Sequence, residues 1–356
     1  MNMSRTLRTT LAVCTAAGLL LPAACSSTGT AASSAPTSSS TSAASSAAPS
    51  AASPAASAPA SAGSGTAAAP TSSAGGGTSA ASLNPVSGFN VPTTDPAIAA
   101  MVPAALRSKG ELTAGADATM APKEFMDVDN KTIVGLDVDM VYAMGNVMGV
   151  KIKMTNAAFD TLIPGVQNGR FDLVNSSAAP TLEREKIVDM VSTDLSGEQL
   201  LIQASAADQI KSIEDLCGHK AGAGRGSLPV TDLQNQSAKC TAAGKGAIDV
   251  QIFPDTNTMN LALTSNRIDA VLSDQPTSVY NAEKSNGKLA AVGPIIRAGL
   301  EAVFTQKDNG LAPAMAAALN KLRADGTYKQ MLAKWDLSAS YLDKSVVNPA
   351  TNKQSY

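Results

Sequence analysis

Two hydrophobic periods alternate between residues 111 and 174. Glu111-Leu112-Thr113-Ala114-Gly115 shows the two-residue period of a strand entering a loop, and 132–136 reads as a second strand. From 138 to 148 the apolar side chains recur at Val138, Val141, Met144, Val147 and Met148, which is the period of a helix. Lys151-Ile152-Lys153-Met154 alternates again. Asp160 is placed to cap a helix that holds Leu162, Ile163 and Val166 and is closed by Gly169; a short apolar strand comes next at 171–174. Residues 95–109 read as a helix ahead of this series. Strands alternating with helices predict an α/β fold, whose ligands sit beyond the carboxyl ends of the strands.

Two stretches share one grammar. Asn168-Gly169-Arg170-Phe171-Asp172-Leu173-Val174 and Asn266-Arg267-Ile268-Asp269-Ala270-Val271 each come after an amphipathic helix and become a short strand. They are expected to be corresponding points of two similar lobes. The residues just beyond the two strands differ. After the first come Ser176, Ser177, Thr181 and Arg184; after the second come Asp274 and Pro276. Thr181 suits an N-cap and Glu183 the first helical turn, but a cation at Arg184 opposes the helix dipole. Arg184 either leans out toward an anion, which a guanidinium grips with two parallel bonds, or pairs at the surface with Glu183 or Glu185. Asp274 either caps the helix begun by Pro276 or faces the cleft. Together they set a cation and an anion across one cleft, complementary to the carboxylate and ammonium of a free amino acid.

The chain has 356 residues, and 44% of them are hydrophobic, yet much of that figure is alanine outside any core. From 26 to 82 every residue is Ala, Ser, Thr, Gly or Pro. Such a stretch cannot bury enough apolar surface to offset chain entropy. Ahead of it, Arg5 and Arg8 precede an apolar run of eleven residues at 11–21, too short to span a bilayer. That run leads into Leu21-Pro22-Ala23-Ala24-Cys25, which resembles a bacterial lipobox with cleavage before Cys25 and lipid on its sulfur. The leucine is one place early and Pro22 is atypical, so an ordinary secretory signal is the alternative. The expectation is a signal peptide at 1–24, a lipid-anchored linker at 25–82 and an N-terminal extension at 83–110. A linker of this length and composition has a root-mean-square span of roughly 40 Å.

Net charge is −2, and no basic stripe is interleaved with aromatics, which disfavours a nucleic-acid partner. Cys14 leaves with the signal. Cys217 and Cys240 remain, and an even pair in an exported chain reads as a disulfide. Two free thiols or half of a metal site is the alternative; a single histidine, His219, and no CxxC speak against zinc.

At these residues the chain resembles the family 3 solute-binding proteins, the polar amino-acid-binding components of ABC importers. The resemblance runs over about 110–335. It is carried by Gly135-Leu136-Asp137-Val138-Asp139, Phe159-Asp160-Thr161-Leu162-Ile163-Pro164-Gly165, Gly169-Arg170-Phe171-Asp172, Thr181-Leu182-Glu183-Arg184, Arg323-Ala324-Asp325-Gly326-Thr327-Tyr328 and Lys334-Trp335. It implies a type II periplasmic-binding-protein-like fold, two α/β lobes joined by two hinge crossings, with lobe 1 at 111–203 and 298–356 and lobe 2 at 204–297. It also implies ligand contacts. Arg184 would hold the carboxylate and Asp274 the α-ammonium. Ser177 would line the pocket, Phe159 form an aromatic wall, Asp117 stand near the ligand side chain, and Arg225-Gly226-Ser227 reach in from lobe 2. The Cys217–Cys240 pair resembles a second-lobe disulfide found in part of the family. Met120 stands where the family usually has an aromatic, and Ala179 where it often has a threonine.

The expected protein is therefore a monomeric, extracytoplasmic binding component, anchored by lipid to the outer face of the cytoplasmic membrane. It would deliver an amino acid or related zwitterion to ABC permease subunits without cofactor, metal or covalent chemistry. A ligand sensor for a membrane receptor and an enzyme of the same fold, such as a dehydratase or lytic transglycosylase, are the alternatives. An enzyme would need a cleft acid or base. His219 is poorly placed for that, and nothing marks Asp117 or Glu124.

Overall fold

The computed structural model describes residues 82–90 and 92–350. The expected signal peptide, Cys25 and nearly all of the expected linker lie outside the described residues. In chain order the elements are α1 (Pro96–Met101), α2 (Ala104–Arg107), β1 (Glu111–Ala116), β2 (Thr119–Met120), β3 (Glu124–Met126), β4 (Ile133–Val134), α3 (Leu136–Met148), β5 (Lys151–Asn156), α4 (Leu162–Gln167), β6 (Leu173–Val174), α5 (Leu182–Glu185) and β7 (Val188–Gln203). Next come β8 (Lys220–Gly224), α6 (Leu228–Ala242), β9 (Asp249–Phe253), α7 (Thr256–Thr264), β10 (Ala270–Asp274), α8 (Gln275–Lys284), β11 (Leu289–Gln306), α9 (Ala312–Ala324) and α10 (Thr327–Lys334).

Strand order in the main sheet is β5-β1-β6-β11-β7-β10-β8-β9. The repeated grammar is a repeated topology. In lobe 1, α4 feeds β6, which lies parallel to β1; in lobe 2, α7 feeds β10, which lies parallel to β8. The long strands β7 and β11 run antiparallel through both lobes and join them. Their pairing is regular at both ends, with register shifts between Val292 and Ile296, between Ile296 and Gly299, and between Leu300 and Ala302. Each lobe has its own core. In lobe 1, α3 is buried on nearly every side among β1, α1 and α9, consistent with apolar residues all round it. In lobe 2, Leu216, Leu233, Ala270 and Leu272 form the centre, joined by Leu200 from the far end of the crossing strand β7.

Three local expectations are corrected. The helix expected over 95–109 is two helices. Val102 precedes Pro103, takes an extended conformation and ends α1, as the proline ring requires. Asp160 does not cap α4. The cap position is Thr161, without a side-chain bond, and Asp160 lies in the 3₁₀ turn Phe159–Thr161. That extra turn shifts the carboxylate off the helix start. The strand expected over 132–136 stops at Val134, because Gly135 turns the chain into α3 at φ 134°, where a Cβ would fall 2.0 Å from the Lys123 carbonyl oxygen.

Thr181 caps α5 as expected, accepting from the Arg184 N–H at 3.2 Å. Cys217 and Cys240 are joined as a disulfide, which ties the turn before β8 to the last turn of α6.

Candidate functional site

The parallel strands of both lobes end at one cleft of about 950 Å³, counting its open mouth. Asp117 comes after β1, Ser177 after β6, Arg225 and Ser227 after β8, and Asp274 ends β10. Met120 comes from β2, Phe159 from the turn before α4, and Arg184 from α5. All eight line this cleft.

Arg184 is half-buried, and its described partners are carbonyl oxygens rather than Glu183 or Glu185. Nη1 donates to the Ala179 oxygen at 2.8 Å and Nη2 to that of Gly226, in the other lobe, at 3.4 Å. Its guanidinium stands 5.8 Å from the Phe159 ring centroid. Burial pulls its pKa down to about 10, against the pull of Glu198. A cation held this far out of water favours an anionic partner.

Asp274 occupies the cap position of α8, but its side chain makes no capping bond. The carboxylate turns into the cleft, 8% exposed, and Oδ1 accepts from Ser196 Oγ. Burial pushes its pKa up, while Lys123 and its hydrogen bonds hold it back.

Asp117 is 4% exposed. Oδ1 accepts from Thr119 Oγ1 at 2.8 Å and Oδ2 from the Phe159 N–H at 3.2 Å. Burial raises its pKa; hydrogen bonds oppose this, and Asp255 and Asp160 add to it. Asp255, the N-cap of α7, also lines the cleft, so this end gathers acids from both lobes.

The lobes touch across the mouth. Arg225 reaches Asp160 at 3.8 Å, and the Thr256 N–H reaches Thr119 Oγ1 at 3.3 Å. Gly226, at φ 77°, packs where a Cβ would lie 3.1 Å from Asp160 Cβ, so its freedom serves the contact between lobes. Ser227 Oγ donates back to the Gly224 oxygen at 2.6 Å.

Several lining residues carried no sequence signal. Ser196, Glu198, Arg297 and Glu301 come from the middles of β7 and β11, which the periodicity did not resolve. Behind them Lys123, with no exposed surface, lies 3.3 Å from Asp137 Oδ1 and 2.7 Å from Glu301 Oε2, and is also paired with Asp194. Burial alone would lower its pKa; these carboxylates outweigh it and hold the ammonium well above its usual range. Glu124 is buried behind the cleft wall and accepts from Ser176 Oγ at 2.8 Å. His219 stands away from the cleft, beside Asp269 at 3.3 Å.

Two α/β lobes, two antiparallel crossings and a charged cleft at the strand ends define a protein that encloses small solutes. The chain belongs to the bacterial extracellular solute-binding proteins, family 3, whose model matches residues 112–338. It is 34% identical over 261 residues to the arginine-binding protein ArgT of Corynebacterium glutamicum, covering 72% of this chain and 84% of that one. An ancestral arginine-binding protein solved with arginine is 31% identical with a TM-score of 0.58, covering 64% of this chain and 98% of that one. The substrate-binding protein AbpA of Streptococcus pneumoniae, solved with L-arginine, is 25% identical with a TM-score of 0.60, covering 67% and 99%.

Proposed function

We propose that this chain is the ligand-capturing component of an ABC importer and takes a free amino acid with a cationic side chain. The observation that carries the reading is the distribution of charge in the cleft. A desolvated arginine from lobe 1 stands opposite a cap-position aspartate from lobe 2 that is turned away from its helix. A carboxylate and an α-ammonium complement that pair. Asp117 and Asp255 line another part of the cleft, beside an Asp160 that Arg225 already pairs, and a guanidinium or ammonium side chain would offset the two lining acids. Relatives whose names give arginine as the ligand agree with this end of the site. Ser177, Met120, Phe159, Arg225 and Ser227 would shape the walls. Binding would favour closure about β7 and β11, whose register shifts fall between the lobes, and the closed form would dock on permease subunits. Such a protein needs no chemical step.

Calorimetry with L-arginine, L-lysine, L-glutamine and L-glutamate tests the reading. The basic amino acids should bind best. Arg184→Ala and Asp274→Ala should each weaken binding by about 2–5 kcal/mol, roughly 30- to 4,000-fold, since each leaves the opposing ligand charge unpaired in a desolvated site. If both variants bind the best ligand as tightly as the parent, the site is misplaced.

A further inference from the structure

The ammonium end of the cleft holds a second acid. Glu301 lies on β11, lines the cleft beside Asp274 and is 6% exposed. Its carboxyl faces that of Asp274 within hydrogen-bond reach. Carboxylates are acceptors only, so such a bond requires one partner to hold a proton. Asp274 Oδ1 already accepts from Ser196. Oδ2 is buried, and no nitrogen or hydroxyl of the described residues donates to it. Buried acceptors are normally satisfied, and the group that faces this carboxyl is Glu301, whose shared proton an incoming ammonium would replace as donor.

The surroundings strengthen this. Lys123 from the β2–β3 turn, Asp194 from β7, Asp137 from α3 and Glu124 from β3 all act on Glu301 or share its cluster. One buried ammonium stands among five carboxyl groups, counting Asp274. Charging all of them without water would be prohibitively costly, so part of the cluster carries protons. Burial is the main cause that pushes Glu301 well above the usual carboxylate range; Lys123 opposes it, and Asp274 and Asp194 add to it.

We propose that Glu301 is a second ligand-binding carboxylate, which grips the α-ammonium together with Asp274 as a two-armed clamp. The inference rests on the amino-acid reading above. The incoming ammonium donates one N–H to Asp274 Oδ2 and another to Glu301. The proton that Glu301 had shared with Asp274 passes to the buffer, so one proton leaves for each ammonium that enters. Lys123 positions Glu301 from behind.

The test is calorimetry of L-arginine binding to the full chain near pH 7 in buffers of different ionisation enthalpy. Comparing apparent enthalpies counts the protons released. The parent should release about one proton more with L-arginine than with its des-amino analogue 5-guanidinopentanoate. Glu301→Gln should abolish that difference and weaken L-arginine binding roughly 10- to 100-fold, the expected loss of a hydrogen bond to a charged group. Equal proton release for the two ligands in the parent overturns the clamp, and this arm needs no variant to fold. An unchanged proton count in folded Glu301→Gln overturns it as well. If no amino acid binds the parent at all, the functional reading itself fails, a result distinct from either.

Discussion

Glu198 stands midway along β7, among Arg184, Arg297 and Asp232, and its carboxyl bonds that of Asp232. Burial first, then Asp232, pushes its pKa up to about 9, while the two guanidiniums oppose the rise. The folded chain therefore keeps a proton that the unfolded chain loses above about pH 4.3, the usual glutamate value. Where the native state binds more protons, stability falls as pH rises, here between about pH 4.3 and the folded value. A glutamine in place of this acid would still donate to Asp232 without titrating. Glu198→Gln should thus flatten the loss of stability with pH and raise stability at pH 8 by roughly 1–3 kcal/mol, read by urea unfolding at pH 5 and pH 8. An equally steep loss in the variant would argue against a shared proton. Residues of this kind were hidden from sequence reading. Arg184 was legible because a cation in a first helical turn violates the dipole rule, and Asp274 because it ends a recognisable strand. Glu198 and Glu301 violate no local rule; only three-dimensional packing sets them against other acids.

At the scale of elements, legibility tracks regularity. The helix–turn–strand unit was readable twice, because Gly169 and Asn266 close helices at φ 73° and 56° and short apolar strands come next. The crossings were not. Residues 292–300 of β11 shift register repeatedly, so no clean two-residue period survives there. A turn of 3₁₀ helix before α4 likewise moved the expected cap by one residue. The disulfide is an element-level tie, fastening the far end of α6 while its near end, Leu228 and Pro229, lines the cleft. Replacing Cys217 and Cys240 by serine should lower the unfolding free energy by roughly 2–4 kcal/mol, since the bridge closes a loop of about two dozen residues. Denaturant titration reads the loss. Ligand affinity should stay within about twofold of the parent, because the bridge and the cleft lie at opposite ends of α6; a large loss of affinity would mean that the tie also shapes the site.

For the whole molecule, the segment ahead of the described fold makes its own prediction. Lipid on Cys25 would tether the lobes to the membrane through an uncharged linker, and Cys25→Ser should shift the protein from the membrane fraction to the medium or periplasm. Retention of the variant on the membrane, without build-up of unprocessed chain, would remove the anchor from the account. Closure is a property of the two lobes together. Asp117 and Asp160 sit on one lobe and Asp255 on the other, and the charges of Asp255 and Asp160 add to the rise that burial causes in the Asp117 pKa. Arg225 already offsets Asp160 across the mouth; without a further cation, Asp117 and Asp255 would act as a weak spring that opens the jaws, and a cationic side chain would turn the same charges into a shared counter-ion site that draws the jaws together. A neutral analogue of the same length would meet the walls of one lobe nearly as well, but would leave the spring loaded. Discrimination would then lie less in how firmly a solute is touched than in how long the jaws stay shut around it, the interval during which a permease can recognise the loaded form.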